Sequence, residues 1–510
     1  MVASADHLAS QAGMAAIALG GNAVDAAIAT NAAIAVTGPH LCGMGGDLFA
    51  LVHDGREVYA LNASGRAGSG ASADALRRDG HRHMPFRHDV RSVTVPGCVD
   101  GWCALHERFG RLPLTRLLEP AVRLAEEGFP ASPLLVGALA TVDERGREAL
   151  RELVTQALRP GDRVRRPGVA AALRAVAEHG RDGHYRGDFG RGLLALGGGW
   201  FTDSDLDTPG AEWTAPLSLQ AFGHVLHTIP PNSQGYLTLG AASLADRLGL
   251  PADPDDPQWA HLLIEAAKVA GRDRPELLND RANGGRLLHA IAERLGDIDP
   301  HRASRLTPRQ RQGDTTYLCT VDADRMGVSL IQSNASGFGS WLVEPTTGIN
   351  LHNRGLGFSL EIGHPGEIAA GRRPPHTLSP ALATSNAGSL RAVFGTMGGD
   401  AQPQILLQLA ARLFLHAQSP AVAINAGRWI LDGPVTGFDT WTGAGGPHVL
   451  LEGHVPEDWR AHLVELGHEV QSSPSWSSDF GHAHAIVIGD DDMLSGAADP
   501  RTRVGSVAAM

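Results

Sequence analysis

A chain of 510 residues that is 43% hydrophobic and 19% charged has enough apolar side chain for a substantial core and no long polar tract, which excludes a disordered chain and allows one or two domains. Its formal charge of −12 disfavours a nucleic-acid partner, because phosphate backbones are held by clustered Lys and Arg. Lys268 is the only lysine, so a phosphate loop ending in Gly-Lys-Ser/Thr is excluded and Schiff-base chemistry has a single candidate.

Met1 to His7 has no basic region followed by an apolar run, and no stretch reaches the roughly 20 apolar residues of a membrane helix. No secretory signal or membrane partner is therefore expected, and the chain reads as cytoplasmic. Residues 8–37 predict two helices broken at Gly20-Gly21, the second capped by Asn22 with Asp25 in its first turn. A Gly-rich turn, Cys42-Gly43-Met44-Gly45-Gly46-Asp47, feeds a strand from Leu48 to His53, and Val58 to Asn62 predicts its hairpin return. Residues 99–182 read as mainly helical, with Leu114, Leu117, Leu118, Ala121, Leu124 and Ala125 at helical spacing. The run Gly197-Gly198-Gly199 lacks a dinucleotide fingerprint and predicts a turn, as does the Pro-rich stretch from Ile229 to Gly235.

Helices are predicted near 258–271 and 284–295, followed by a polar, unpatterned stretch from Asp297 to Gly313. The pattern then becomes strand-rich. Tyr317–Val321 and Gly327–Gln332 form a hairpin-like pair, with short strands at 348–352, 379–384 and 391–396 and a helix over about 402–416. Paired strand layers flanked by helices predict an α+β sandwich covered on both faces. The cysteines Cys42, Cys98, Cys103 and Cys319 lack zinc-type spacing and read as reduced thiols. His81-Arg82-His83 and His482-Ala483-His484 lack acidic or cysteine partners at metal spacing and read as surface or loop histidines. No metal or other cofactor is expected.

The segment from Gly313 to Gly339 carries most of the functional information. Thr315 and Thr316 by themselves read as ordinary strand residues. A threonine hydroxyl needs a base, and scission of the Asp314–Thr315 bond would supply one, because the freed α-amine has a pKa of roughly 7.7–8.0. Gly20-Gly21-Asn22-Ala23-Val24-Asp25-Ala26-Ala27, the Gly43-to-Phe49 turn, Val95-Pro96-Gly97 with Gly101-Trp102, the 315–339 segment, Gly395-Thr396-Met397-Gly398-Gly399, and Ala498-Asp499-Pro500-Arg501 together make the chain resemble the gamma-glutamyltransferase-like family. These motifs occur in family order over nearly the whole chain.

The resemblance implies a four-layer αββα sandwich of the N-terminal-nucleophile hydrolase type. It implies self-cleavage between Asp314 and Thr315 into a large segment, 1–314, and a small one, 315–510, held as a heterodimer within one intertwined domain, with further pairing of heterodimers left open. It makes Thr315 the nucleophile, Ser333 the hydroxyl that orients it, and Gly398 and Gly399 the donors of the oxyanion hole. Backbone donors without a Cβ suit that task.

The glutamyl clamp departs from the family. An acid that holds the substrate amine falls on Gly357 in the run Asn353-Arg354-Gly355-Leu356-Gly357-Phe358, and the serine pair for the carboxylate falls in Pro375-His376-Thr377-Leu378-Ser379-Pro380. The family's carboxylate-binding Arg falls on Ser64, with Arg66 two residues on. A charged substrate amine without its partner would be costly to bury, so glutathione is not the expected substrate. These runs resemble the divergent acylase and oxamate-amidohydrolase branch. Arg66, Arg354, His376 and Thr377 become the candidate substrate-binding residues, since Arg pairs with carboxylates or vicinal dicarbonyls in plane. The expected partner is a small acidic acyl compound, cut at an amide or oxalyl-like bond. A genuine gamma-glutamyl transferase, a C–C hydrolase of alkylproline antibiotic biosynthesis, and an unprocessed non-catalytic relative are the alternatives.

Overall fold

In the computed structural model, residues 1–304, 314–432 and 448–510 are described, the side chains of Asp314 and Asp432 excepted. From residue 305 to 313, the unpatterned stretch before Thr315 lies outside them.

Two antiparallel sheets make the centre. The first has seven strands in the spatial order Ser506–Ala508, Val2–Ser4, Asp314–Val321, Gly327–Ala335, Asp47–His53, Val58–Ala63 and Glu212–Thr214. The second has six, in the order Leu494–Ala498, Ala483–Ile488, Leu390–Thr396, Ala381–Thr384, His224–Thr228 and Leu217–Ala221. The first sheet interleaves strands from before and after residue 314.

Strand periodicity sets what each face touches. In Asp47–His53 the residues Leu48, Ala50 and Val52 join one core with helices Ala23–Thr37, Cys98–Phe109 and Leu114–Glu127, whereas Phe49 and Leu51 join a second core between the sheets. Every residue of that strand is buried, as expected of a strand covered on both faces. Tyr317, Cys319, Val321 and Ile331 share the inter-sheet core with Leu382, Val393 and Ile486. The outer face of the second sheet, through Ala383, Ala392 and Phe394, packs on helices Tyr236–Leu248, Pro257–Gly271 and Gln402–Ala410. The architecture is the expected αββα sandwich.

The predicted helix break is present: His7–Ala18 ends before Gly20, which has φ 89°, and Ala23–Thr37 begins on a capping box between Asn22 and Asp25. The glycine run 197–199 ends helix Asp188–Gly197, with Gly198 and Gly199 at φ 53° and 93°. The strand expected at 348–352 shrinks to Asn350–Leu351, paired with Leu342–Val343. The helix expected over 402–416 runs as Gln402–Ala410 and widens over Ala411–Leu415. Two hairpins, Leu217–Ala221 with His224–Thr228 and Ala483–Ile488 with Leu494–Ala498, lack a counterpart in the sequence reading.

That second hairpin corrects one expectation. His482 and His484 are not surface residues but are buried, His484 on a central strand. The backbone N–H of Asp499 donates to His484 Nδ1 (3.2 Å), and Asp499 also receives Arg428 (2.7 Å) and Arg501 (3.1 Å). The Asp499-Pro500-Arg501 motif therefore has a structural part: it pins the C-terminal segment to the second sheet. Lys268 is likewise committed, donating to Glu265 (2.8 Å) and to the carbonyl of Ser304 (3.2 Å). Among the described residues no helix is long and apolar enough to cross a membrane.

Candidate active site

The candidate residues gather where the two sheets end together. Thr315, Ser333 and Asp47 lie near the same end of three neighbouring strands. By the period of two, Thr315 follows Tyr317, Ser333 follows Ile331, and Asp47 follows Phe49, so all three belong to the inter-sheet face. Here the apolar core gives way to polar groups.

Thr315 is 1% exposed and its hydroxyl donates to Ser333 Oγ (3.1 Å), which also accepts the backbone N–H of Ala335 (2.8 Å). A bulge makes this possible. The register between the two strands shifts between Gln332 and Ala335, leaving Ser333 and Asn334 opposite Thr315, and Ala335 takes φ 77°. Gly46 lies so close to this bulge that a Cβ on it would sit 2.4 Å from the carbonyl oxygen of Ser333, which explains the glycine turn.

Asp47 is the centre of charge, and it was not singled out from the sequence although it stands inside the quoted glycine turn. Its fully buried carboxylate accepts the N–H of Gly65 (3.0 Å), lies 3.0 Å from His376 Nε2 and 3.5 Å from His352 Nδ1, and has Arg354 Nε at 3.8 Å. Burial opposes its ionisation, yet the adjoining His352 and His376 outweigh burial and hold its pKa far below the usual carboxylate range. Burial pushes His376 down to about 3, helped by the Arg354 charge, and burial lowers Arg354 to about 10. At neutral pH the cluster therefore holds Asp47⁻, Arg354⁺ and a neutral His376.

Both nitrogens of His376 are engaged, because Nδ1 accepts the N–H of Leu378 (3.2 Å) while Nε2 faces Asp47. Its ring is thus held between Asp47 and the backbone of Leu378. Arg354, 1% exposed, donates to the Thr377 hydroxyl (3.0 Å), so these two do meet. Arg66 does not join them. Its half-exposed guanidinium turns to the carbonyl of Gly371 (3.1 Å) and to Glu212 (3.4 Å), while Ser64 closes a network with Asn62 and Asn232. Gly357 is also fixed by space, since a Cβ there would lie 2.4 Å from the carbonyl oxygen of Pro375.

On the second sheet, the strand Leu390–Thr396 leads into Gly398 and Gly399, at φ 135° and 56°, and then into the helix Gln402–Ala410. Only glycine takes these angles in succession without strain. Gln234 ties this turn to the rest, as its amide donates to the carbonyls of Thr377 (3.0 Å) and Gly399 (3.1 Å). Arg274 holds Gln234 Oε1 (2.8 Å) and Asp400 (2.9 Å). Neither Gln234 nor Arg274 stood out in the sequence, since a lone Gln in a Pro-rich turn and an Arg in a helix carry no motif.

A hydroxyl pair, a buried Arg–carboxylate pair and a glycine turn at a helix start are the kinds of group that acyl transfer requires. The protein family described as gamma-glutamyltranspeptidase matches residues 9–509. The chain is 37% identical to the oxamate amidohydrolase proenzyme of Klebsiella pneumoniae subsp. pneumoniae, covering 98% of this chain and 97% of that protein. It is 33% identical to the glutathione hydrolase-like YwrD proenzyme of Bacillus subtilis, at 98% and 97% coverage. The crystal structure of cephalosporin acylase from Bacillus halodurans superposes with a TM-score of 0.90 at 33% identity, covering 100% of this chain and 95% of that one.

Proposed function

The chain belongs to the gamma-glutamyltranspeptidase family, and from that premise we propose that it is a self-processing N-terminal threonine hydrolase acting on a small acidic acyl compound. The observation that carries the reading is the Thr315–Ser333 hydroxyl pair beside the Asp47–Arg354 cluster. In the uncut chain Thr315 is buried and its nitrogen is an amide, so the hydroxyl has no amine base. Addition of water across the Asp314–Thr315 bond frees that amine and leaves segments 1–314 and 315–510 as partners in one fold.

In the cut protein the Thr315 amine takes the hydroxyl proton, directly or through water, as Oγ1 attacks the acyl carbon. Ser333 fixes the direction of that hydroxyl. The N–H groups of Gly398 and Gly399 receive the oxyanion, and the proton passes to the leaving group as the bond breaks. Water then hydrolyses the Thr315 ester and returns the enzyme to its starting state. Arg354, balanced by Asp47, receives the carboxylate or second carbonyl of the acyl unit.

The fixed glycine at 357 and the engaged His376 argue against the glutamyl reading, since neither supplies a ligand for a substrate amine. Intact-mass spectrometry should give two fragments split before Thr315 in the natural chain and a single chain in Thr315→Ala. A natural chain that stays uncut would sink the proposal and favour a non-catalytic relative. Oxamate, other short acyl amides and 2-keto acid derivatives separate C–N from C–C scission. Turnover of a γ-glutamyl anilide at the rate of the best of these would show that the acyl site has been misread.

A further inference from the structure

A cavity of about 520 Å³ adjoins the Arg354–Thr377 pair, and Thr377 itself is part of its lining. A two-carbon acid derivative fills little of this space, whereas volumes of about 300–1,000 Å³ suit organic ligands of many more atoms. Leu278, Leu356 and Phe358, all buried, give it an apolar wall. Ile362, 82% exposed, stands on its lip, an apolar side chain left in water beside an apolar cavity.

The charges of the lining are unequal in their commitments. Arg77 is spent on Asp74 and Glu367, and Arg274 on Gln234 and Asp400. His81 Nε2 faces Arg91 (3.0 Å). Arg82 is exposed, and among the described residues no carboxylate forms an ion pair with it. Glu361, also exposed, is the acidic side chain of the lining. Thus the His81-Arg82-His83 run supplies a guanidinium to a cavity next to the candidate acyl site.

We propose that this cavity receives the leaving half of the substrate, an apolar amine of aromatic or branched character that carries a carboxylate, and that Arg82 reads that carboxylate. The inference rests on the proposed function for its acyl half, with Arg354 holding the small acidic unit and the cavity holding what departs. The substrate is then an N-substituted short acyl amide in which the larger part is the amine.

The test measures binding to full-length Thr315→Ala, in which neither self-cutting nor turnover intervenes. Calorimetry compares oxamate, N-phenyloxamate and N-(4-carboxyphenyl)oxamate, together with 4-aminobenzoate and aniline as leaving halves by themselves. The aryl amide should bind at least about tenfold more tightly than oxamate, and the carboxylate should add about tenfold more, the worth of one charge-assisted hydrogen bond. In Arg82→Glu the advantage of 4-aminobenzoate over aniline should disappear. Equal binding of the three oxamates, or a carboxylate advantage that survives Arg82→Glu, would overturn the inference. An advantage for an ammonium in place of the carboxylate would overturn it too, by pointing to Glu361. The free amines keep this outcome separate from the proposed function, which fails on the uncut natural chain whether or not they bind.

Discussion

Asp47 keeps its negative charge where water is excluded because His352 and His376 adjoin it, and Arg354 Nε lies 3.8 Å away. Replacing it with Asn keeps the volume and removes the charge that balances Arg354. Removing one partner of a buried ion pair costs up to about 3–5 kcal/mol, so Asp47→Asn should lower the melting temperature, as calorimetry would show. It should also reduce kcat/KM by about two orders of magnitude, since a mis-set Arg354 no longer holds the acyl unit. Ser333 makes a sharper test because it touches the nucleophile alone among the proposed reacting groups. Ser333→Ala should lower kcat about tenfold with KM little changed, and Ser333→Thr should restore most of it, because the hydroxyl and not the missing methyl does the orienting. Steady-state kinetics on the best substrate of the panel decides both.

At the level of elements, the bulge at Ser333 and Asn334 aligns the hydroxyl pair, and the capping box at Asn22 fixes the start of helix Ala23–Thr37. Deleting Asn334 should slip the register and turn Ser333 out of reach, abolishing self-cutting while far-ultraviolet circular dichroism stays close to that of the intact protein. Asn22→Ala removes a cap and the bond to the Phe109 carbonyl, and should cost about 1–2 kcal/mol in a denaturation curve without changing kcat. The two features also mark what was legible in the sequence. Asn22 and Asp25 announce a capping box because its bonds are local, and Leu48 to Val52 announce a strand because their neighbours are all apolar. The bulge is not legible, since a register shift depends on the partner strand. The same holds for Arg66 and His376. Sequence places them near the right motifs, but Glu212 draws one outward and Asp47 claims the other, and both partners are remote in the chain.

Across the described residues of the molecule, burial pushes the pKa values of His40, His184, His227, His376, His468, His482 and His484 down to between about 2 and about 4. In the unfolded chain each returns to about 6.5 and binds a proton sooner than the folded state does. The stability these histidines contribute is therefore full above about pH 6.5 and falls as the pH drops toward the folded values. Urea titrations from pH 7 to 4.5 should show the midpoint falling steeply, and a flat profile would contradict this burial. The interleaved first sheet has a different kind of consequence. Strand Val2–Ser4 is paired on one side with Asp314–Val321 and on the other with Ser506–Ala508, so the proposed cut before Thr315 would divide this sheet between the two pieces. On the proposed function, such a sheet forms while the chain is still continuous. Two genes encoding the separate halves would then not be an equivalent starting point, and the covalent bond given up in the proposed cut would serve as the record of how the halves found each other.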